Sequence, residues 1–157
     1  RRHPLTVAGN GRIGLEVEGL VELRQAFAKA DRKRLDAGLR GAHKEIAKTV
    51  ESESRSAAAS GTAQQQKAIR AILGRGDPTA SIILLRNNKS VPFGIGAFMG
   101  AIVWNQFPDW VGTAWDIEAG DGPYVVAETI ARNLGDIVDT YAEAMADTLE
   151  AVGLPVT

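Results

Sequence analysis

Apolar residues recur along this chain with two distinct periods, and the changes between them mark out its elements. In RIGLEVE, residues 12–18, Ile13, Leu15 and Val17 alternate with Arg12, Glu16 and Glu18, the period of a half-buried strand, and Gly19 ends it. In LVELRQAFAKA, Leu20, Leu23, Phe27 and Ala30 fall at steps of three and four, which predicts a short helix over Leu20–Ala30. The same spacing returns in Leu35, Leu39, Ala42, Ile46 and Val50, with Lys, Arg, Glu and Ser on the other side, so a longer helix is predicted over Arg32–Ser56. Gly61 breaks it, and AQQQKAIRAILG predicts a resumed helix reaching Leu73, with Ala68, Ile69 and Ile72 inward. GRGDP is a turn. TASIILLRN is β-branched and apolar and predicts a strand over Thr79–Asn87, and NNKS reads as the turn of a hairpin. Pro123 suits a first helical turn, where its missing N–H costs nothing. Val126, Ile130, Leu134, Ile137, Val138, Tyr141, Met145, Leu149 and Val152 then predict a helix over Tyr124–Val152, stopped by Gly153 and Pro155. At about 1.5 Å per residue it would be roughly 40 Å long, with its apolar line against the sheet or the Arg32–Ser56 helix.

The order of these elements predicts an α+β fold: a small, mostly antiparallel sheet packed by a long N-terminal helix and a long C-terminal helix, with an aromatic, glycine-rich loop. A chain of 157 residues suits one domain with one core. Residues 1–11, polar and glycine-bearing, read as a flexible arm, and 12–154 as the body.

Between the second strand and the last helix lies PFGIGAFMGAIVWNQFPDWVGTAW. It holds all three tryptophans, three of the four phenylalanines, and no lysine or arginine. Phe98 and Trp104 flank the strand-like MGAIV and are expected to contribute to the core. NQFPDWVGTAWD mixes rings with Pro108, Asp109 and Gly112, a loop composition. Large rings on loops mark partner surfaces, so Phe93, Phe98, Phe107, Trp110 and Trp115 are candidate subunit or partner contacts.

Charge sharpens that expectation. Residues 1–76 carry 15 Lys and Arg against 8 Asp and Glu, whereas residues 77–157 carry 3 against 11. The halves are therefore +7 and -8, within a chain of net charge -1. Opposite faces packing within one monomer would use this asymmetry, and so would the basic face of one subunit meeting the acidic face of the next. Arg32, Lys33, Arg34 and Arg40 head the long helix as possible contacts to DNA phosphates or to a neighbouring subunit.

No catalytic motif stands out. GNGRIG, Gly9–Gly14, matches G-x-G-x-x-G, but its third glycine falls inside the strand pattern where a dinucleotide site needs a helix N-terminus. A nucleotide or small-ligand module built on that loop is the alternative function. His3 lies in the arm, and His43 is expected to be a solvated residue on the long helix. Asp116, Glu118 and Asp121 lack the spacing of a calcium loop and read as a solvated acidic turn. Without cysteine there are no disulfides or thiolate metal sites, and no catalytic residue, metal or cofactor is assigned. No recognition helix with base-reading side chains is found. HPLTVAGNG after Arg1 and Arg2 lacks a secretory apolar core, and Phe93–Trp104 is too short to span a bilayer.

LEVEGLVELRQAFAKADRKRLDAGLRGAHKEIAKTVESESRSAA resembles the opening of the head-to-tail joining, tail-completion or neck proteins of long, non-contractile-tailed bacteriophages. Those begin with a strand, a G-L-x-E-L turn, here Gly19 to Leu23, and a long Ala-rich helix. KAIRAI, SIILLRN, PFGIGAFMG, FPDWVG and GPYVVAETIARNLGDIVDTYAEAMADTL follow in the order seen in the actinobacteriophage version. The resemblance covers about Leu15 to Leu154. It implies a non-enzymatic structural virion protein acting as head–tail connector, tail completion protein or tail terminator. It further implies a homo-oligomeric ring, a hexamer rather than a dodecamer, assembled in the host bacterial cytoplasm beside other neck and tail-tube proteins. Genome DNA would cross the lumen without sequence-specific binding, and no membrane would be involved.

Overall fold

Two glycines set how closely the longest helix approaches the sheet. The computed structural model describes residues 5–8, 12–15, 32–113 and 115–151. Helix α1 runs Arg32–Ala59 and buries Leu35, Leu39, Ala42, Ile46 and Val50, the line its spacing predicts. The sheet is four-stranded and antiparallel, formed by β1 (Leu5–Ala8), β2 (Arg12–Leu15), β3 (Ile72–Gly76) and β4 (Ser81–Leu85) in the order β1-β2-β4-β3. In the β3–β4 register, Ile72, Gly74 and Gly76 oppose Leu85, Ile83 and Ser81. Opposed residues share a face, and the buried members here are Ile72, Gly74, Ser81, Ile83 and Leu85. A Cβ on Gly74 would stand 2.1 Å from the Ala47 carbonyl oxygen, and one on Gly76 2.1 Å from the Lys44 backbone nitrogen. The missing side chains are what let β3 lie against the α1 backbone.

Side chains of α1 also finish the open edge of β3. Arg55 donates through Nε and Nη2 to the Ile72 carbonyl at 3.1 and 2.7 Å. Glu51 Oε2 accepts the Gly74 N–H at 2.6 Å. Arg55 Nη1 pairs with Glu51 Oε1 at 2.8 Å, and Lys48 Nζ lies 2.5 Å from Glu51 Oε2. Burial alone would push the Glu51 carboxyl up. Hydrogen bonds from Lys48 and Gly74, with the charges of Arg55 and Lys48, outweigh burial and hold it below its ordinary value. Two groups that would otherwise offer themselves to a foreign strand are thereby satisfied.

The sequence expectations need several corrections around this frame. Ile72 and Leu73, expected in a resumed helix, are strand. Helix α2 spans only Ala63–Ala68, capped by Thr62 and Gln65, and one 3-10 turn, Ile69–Ala71, leads into β3. Glycines at 74 and 76 suit close strand approach and disfavour a helix. GRGDP enters the turn of the β3–β4 hairpin, where Asp77 Oδ1 accepts the N–H groups of Thr79 and Ala80 at 2.6 and 2.8 Å. NNKS does not turn a hairpin. Asn88 Oδ1 caps the N–H groups of Ser90 and Val91, and the chain enters a short helix, α3 (Gly94–Met99), so MGAIV is not a strand. Part of the expected arm, Leu5–Ala8, pairs with β2 as an edge strand. The helix expected over Leu20–Ala30 lies outside the described residues.

The C-terminal helix is two helices, α4 (Val126–Arg132) and α5 (Leu134–Ala151). The helix expected from Tyr124 begins two residues later, at Val126: Val125 precedes it at φ +69°, and Pro123 stands before the helix, its carbonyl accepting the Ala127 N–H at 2.9 Å. Asn133 makes the break: its Nδ2 donates back to the Thr129 carbonyl at 2.8 Å and across to Glu53 of α1 at 2.5 Å. Ile130, Ile137 and Met145 are buried, while Leu134, Tyr141 and Leu149 are half-buried. Val138 is exposed, because the residue after Ile137 sits about 100° further round the helix. Helix α5 packs on α1, where Leu35, Leu39 and Met145 meet Tyr141 and Leu149. The main cluster gathers Ile72, Leu85, Phe98, Ile117, Val126 and Ile130.

His43 is buried, against expectation. Its ring stacks on Tyr141 with centroids 5.5 Å apart, and Nδ1 lies 2.7 Å from the Asp77 carbonyl oxygen, to which it donates. Its place in the turn of α1 between Ala42 and Ile46 puts it at the α1–α5 seam rather than in solvent. Tyr141 has no hydrogen-bond partner for its hydroxyl among the described residues, and burial pushes that group up to about 12.

Two outcomes test this frame. Gly74→Ala forces a methyl into the Ala47 carbonyl and should cost about 2 kcal/mol, read as a lower urea midpoint at unchanged slope. Because the folded Glu51 carboxyl titrates below its unfolded value, its contribution is complete above the ordinary carboxylate range and is lost as pH falls through the folded value. Glu51→Gln should therefore flatten the acid limb of the stability–pH curve, measured by denaturation from neutral pH downwards.

Candidate assembly surface

The aromatic segment divides into a buried root, a pinned stem and an exposed tip. The root is Phe98, fully buried at 0% exposure on α3. It belongs to the chain's own core, which removes it from the candidate contact residues. Gly100 ends α3 at φ +79°, a left-handed conformation that glycine adopts without steric penalty. A Cβ there would also lie 2.0 Å from the Asp109 carbonyl oxygen, so two backbone stretches are pressed together at this point.

That contact starts the stem. The Val111 N–H donates to the Met99 carbonyl at 3.0 Å, and the Ala101 N–H to the Pro108 carbonyl at 2.9 Å. The outgoing and returning chains are thus tied twice. From the side, the Tyr124 hydroxyl donates to the Asp109 carbonyl at 3.0 Å, and the Tyr124 N–H to the Phe98 carbonyl at 2.7 Å. Phe107 is half-buried and its ring lies 6.3 Å from that of Phe93, which packs in turn on the main cluster. Trp115 is half-buried on the same cluster and donates through Nε1 to the Gly112 carbonyl at 2.7 Å.

The tip is Ile102-Val103-Trp104, closed by a turn in which the Phe107 N–H donates to the Trp104 carbonyl at 2.9 Å. Exposures are 85% for Ile102, 79% for Val103 and 66% for Trp104. Trp110 beside the stem is 42% exposed. The expectation that Trp104 helps form the core is therefore wrong: the chain leaves α3 at Gly100 and projects outward, so there is no strand to bury it. Of the five rings proposed as contacts, Trp110 stands most open, Phe93, Phe107 and Trp115 brace the loop, and Phe98 is inaccessible. The most exposed apolar residues were missed. A helix ending in glycine, followed by an apolar run that stops at Asn105, was the available signal, because a C-terminal glycine announces a loop rather than a strand.

The charged residues in the sequence on either side of this finger are acids. From Ser90 to Ala131 the chain has five acids, Asp109, Asp116, Glu118, Asp121 and Glu128, and no lysine or arginine. All five are exposed. Asp116 orders its own turn, accepting the Ala119 N–H on Oδ1 at 3.2 Å and the Asp121 N–H on its carbonyl at 2.7 Å. Among the described residues no group of three His, Asp or Glu is placed to hold a metal ion.

The basic candidates lie elsewhere, on the first turns of α1. Arg32, Lys33, Arg34 and Arg40 are all exposed. Lys33 and Arg40 share an open groove with Asp36, Ala37, Gly41 and Lys44, and Arg32 and Arg34 do not line it. In GNGRIG, Gly14 lies in β2 opposite Ile82, where a dinucleotide loop would have begun a helix. No helix among the described residues is long and apolar enough to cross a membrane.

Root and tip should separate cleanly under mutation. Phe98→Ala should cost about 4 kcal/mol through the cavity it leaves, whereas Trp104→Ala should move stability by no more than about 0.5 kcal/mol. Chemical denaturation of the two variants under dissociating conditions checks this. No family model, curated protein or solved structure matches the chain, so its surface carries the functional reading.

Proposed function

We propose that this chain is a non-enzymatic virion subunit that forms a ring in a phage neck, joining the DNA-filled head to the tail tube. The observation that carries the reading is the finger: three consecutive apolar residues held in water on a base fixed by backbone hydrogen bonds. Apolar surface presented in this way gains free energy when another protein covers it. A pinned stem also means that little ordering entropy is lost on docking. The long Ala-rich helix, a strand after it, the aromatic glycine-rich segment and the C-terminal helix follow in the order of the family that the sequence resembles, while the single terminal helix expected from that resemblance is divided at Asn133 and the short helix expected before α1 lies outside the described residues. The strand pairing of Gly14 speaks against a nucleotide loop at Gly9–Gly14.

In a closed ring each subunit boundary repeats the same contact, so a modest loss per contact multiplies. Genome DNA would pass through the lumen, its phosphates or a neighbouring subunit meeting Arg32, Lys33, Arg34 and Arg40. Mass measurement and negative-stain imaging of the purified protein, alone and with tail tubes, test the reading. Rings of defined order are expected, and Trp104→Asp should leave heads and tails unjoined. A chain that stays monomeric at every concentration and with tail tubes, or a Trp104→Asp phage that assembles normally, would contradict it. So would micromolar binding of NAD or ATP that Gly11→Val abolishes.

A further inference from the structure

The finger needs a receptor, and the charge pattern of the chain names one. Its neighbourhood from Ser90 to Ala131 is purely acidic in its charged residues. Among the described residues, the open groove on α1 has three cations, Lys33, Arg40 and Lys44, against one acid, Asp36. Its floor is small: Ala37 and Gly41 lie four residues apart, hence on one face of the helix. A Cβ added to Gly41 meets no described atom within 4 Å. Lysine and arginine stems flank that floor with methylenes and carry their charges at the rim. Such a groove offers an indole an apolar bed and cations for its ring face, and offers the exposed acids of the 90–131 segment their counter-charges.

We infer that the Ile102–Trp104 finger of one copy docks in the α1 groove of the next copy. The contact is heterologous: finger and groove are different parts of the surface, so each subunit gives one and receives the other. Repetition of such a contact generates a ring when its rotation closes and a filament when it does not. The inference rests on the self-association proposed above and adds its two partners.

The chain has no cysteine, so single cysteines report the contact without background. Val103→Cys and Ala37→Cys are made as separate proteins, mixed, allowed to assemble and mildly oxidised. The mixture should give disulfide-linked dimers that neither variant gives alone, and a chain carrying both should give a ladder. Gly41→Leu fills the groove while replacing a helix-breaking residue, so it should leave the monomer at least as stable and weaken association tenfold or more by sedimentation. Arg40→Glu should weaken association too. Raising salt from about 0.1 to 1 M, which cuts the screening length about threefold, should weaken the unmodified protein. Rings that form without cross-linking at this pair, and that Gly41→Leu leaves intact, would overturn the finger–groove contact and leave the ring standing. A finger needed only for binding tail tubes, with self-association untouched by Trp104→Ala, would overturn it as well. Absence of any multimer would overturn both the contact and the ring.

Discussion

The rest of this structure depends on how closely β3 lies against α1. Backbone meets backbone there, because Gly74 and Gly76 have no side chains to hold the Ala47 and Lys44 peptides away. The approach brings Glu51 and Arg55 within reach of the strand edge, where they take the Gly74 N–H and the Ile72 carbonyl. A buried carboxylate would ordinarily be unfavourable. Here it is neutralised by Arg55 and Lys48 and hydrogen-bonded to backbone, the condition under which a buried ion is tolerated. Side chains of the helix therefore take the place of a further strand at two backbone groups of this edge.

From that seam the geometry passes outward to the exposed loop. Ile72 and Leu85 on the covered face of the sheet meet Phe98 and the α4 residues Val126 and Ile130 in one cluster. Phe98 fixes α3, α3 fixes Gly100, and Gly100 brings the two arms of the stem together at Asp109. Tyr124, just before α4, then ties the stem from the side. The tip is presented on a stem whose contacts begin in the core. That separates it from an apolar residue left on a surface by chance, which has no such support and calls for no explanation.

The fold class and both helical layers were legible because they rest on periodicity. The α1 line from Leu35 to Val50 repeats long enough that no other element fits it. β3 was illegible for the same reason in reverse: ILGRG is too short for a period to show, and its glycines, which look like punctuation, are the means of packing on α1. The break at Asn133 was hidden because the apolar steps continue across it, and only the side-chain bond to Glu53, set 80 positions away in the chain, reveals the stop. His43 was misjudged because burial on a helix flank depends on what packs there, and Tyr141 comes from an element far along the chain. In the aromatic segment, composition pointed to a loop but not to its exposed tip. Rings were counted, whereas the outermost residues are set by where the chain turns, and two of the three at the tip are aliphatic.

Self-association through the finger is the central claim, and the state of Trp104 reports it most directly. In a protein with Trp110→Phe and Trp115→Phe, Trp104 is the sole indole, and its quenching by acrylamide can be followed as concentration rises. The account predicts efficient quenching in dilute monomer that falls as multimers form, and that Gly41→Leu keeps quenching high at every concentration. Quenching that stays high while sedimentation shows the unblocked protein multimeric would contradict it, because the tip would then remain in water in the assembled state.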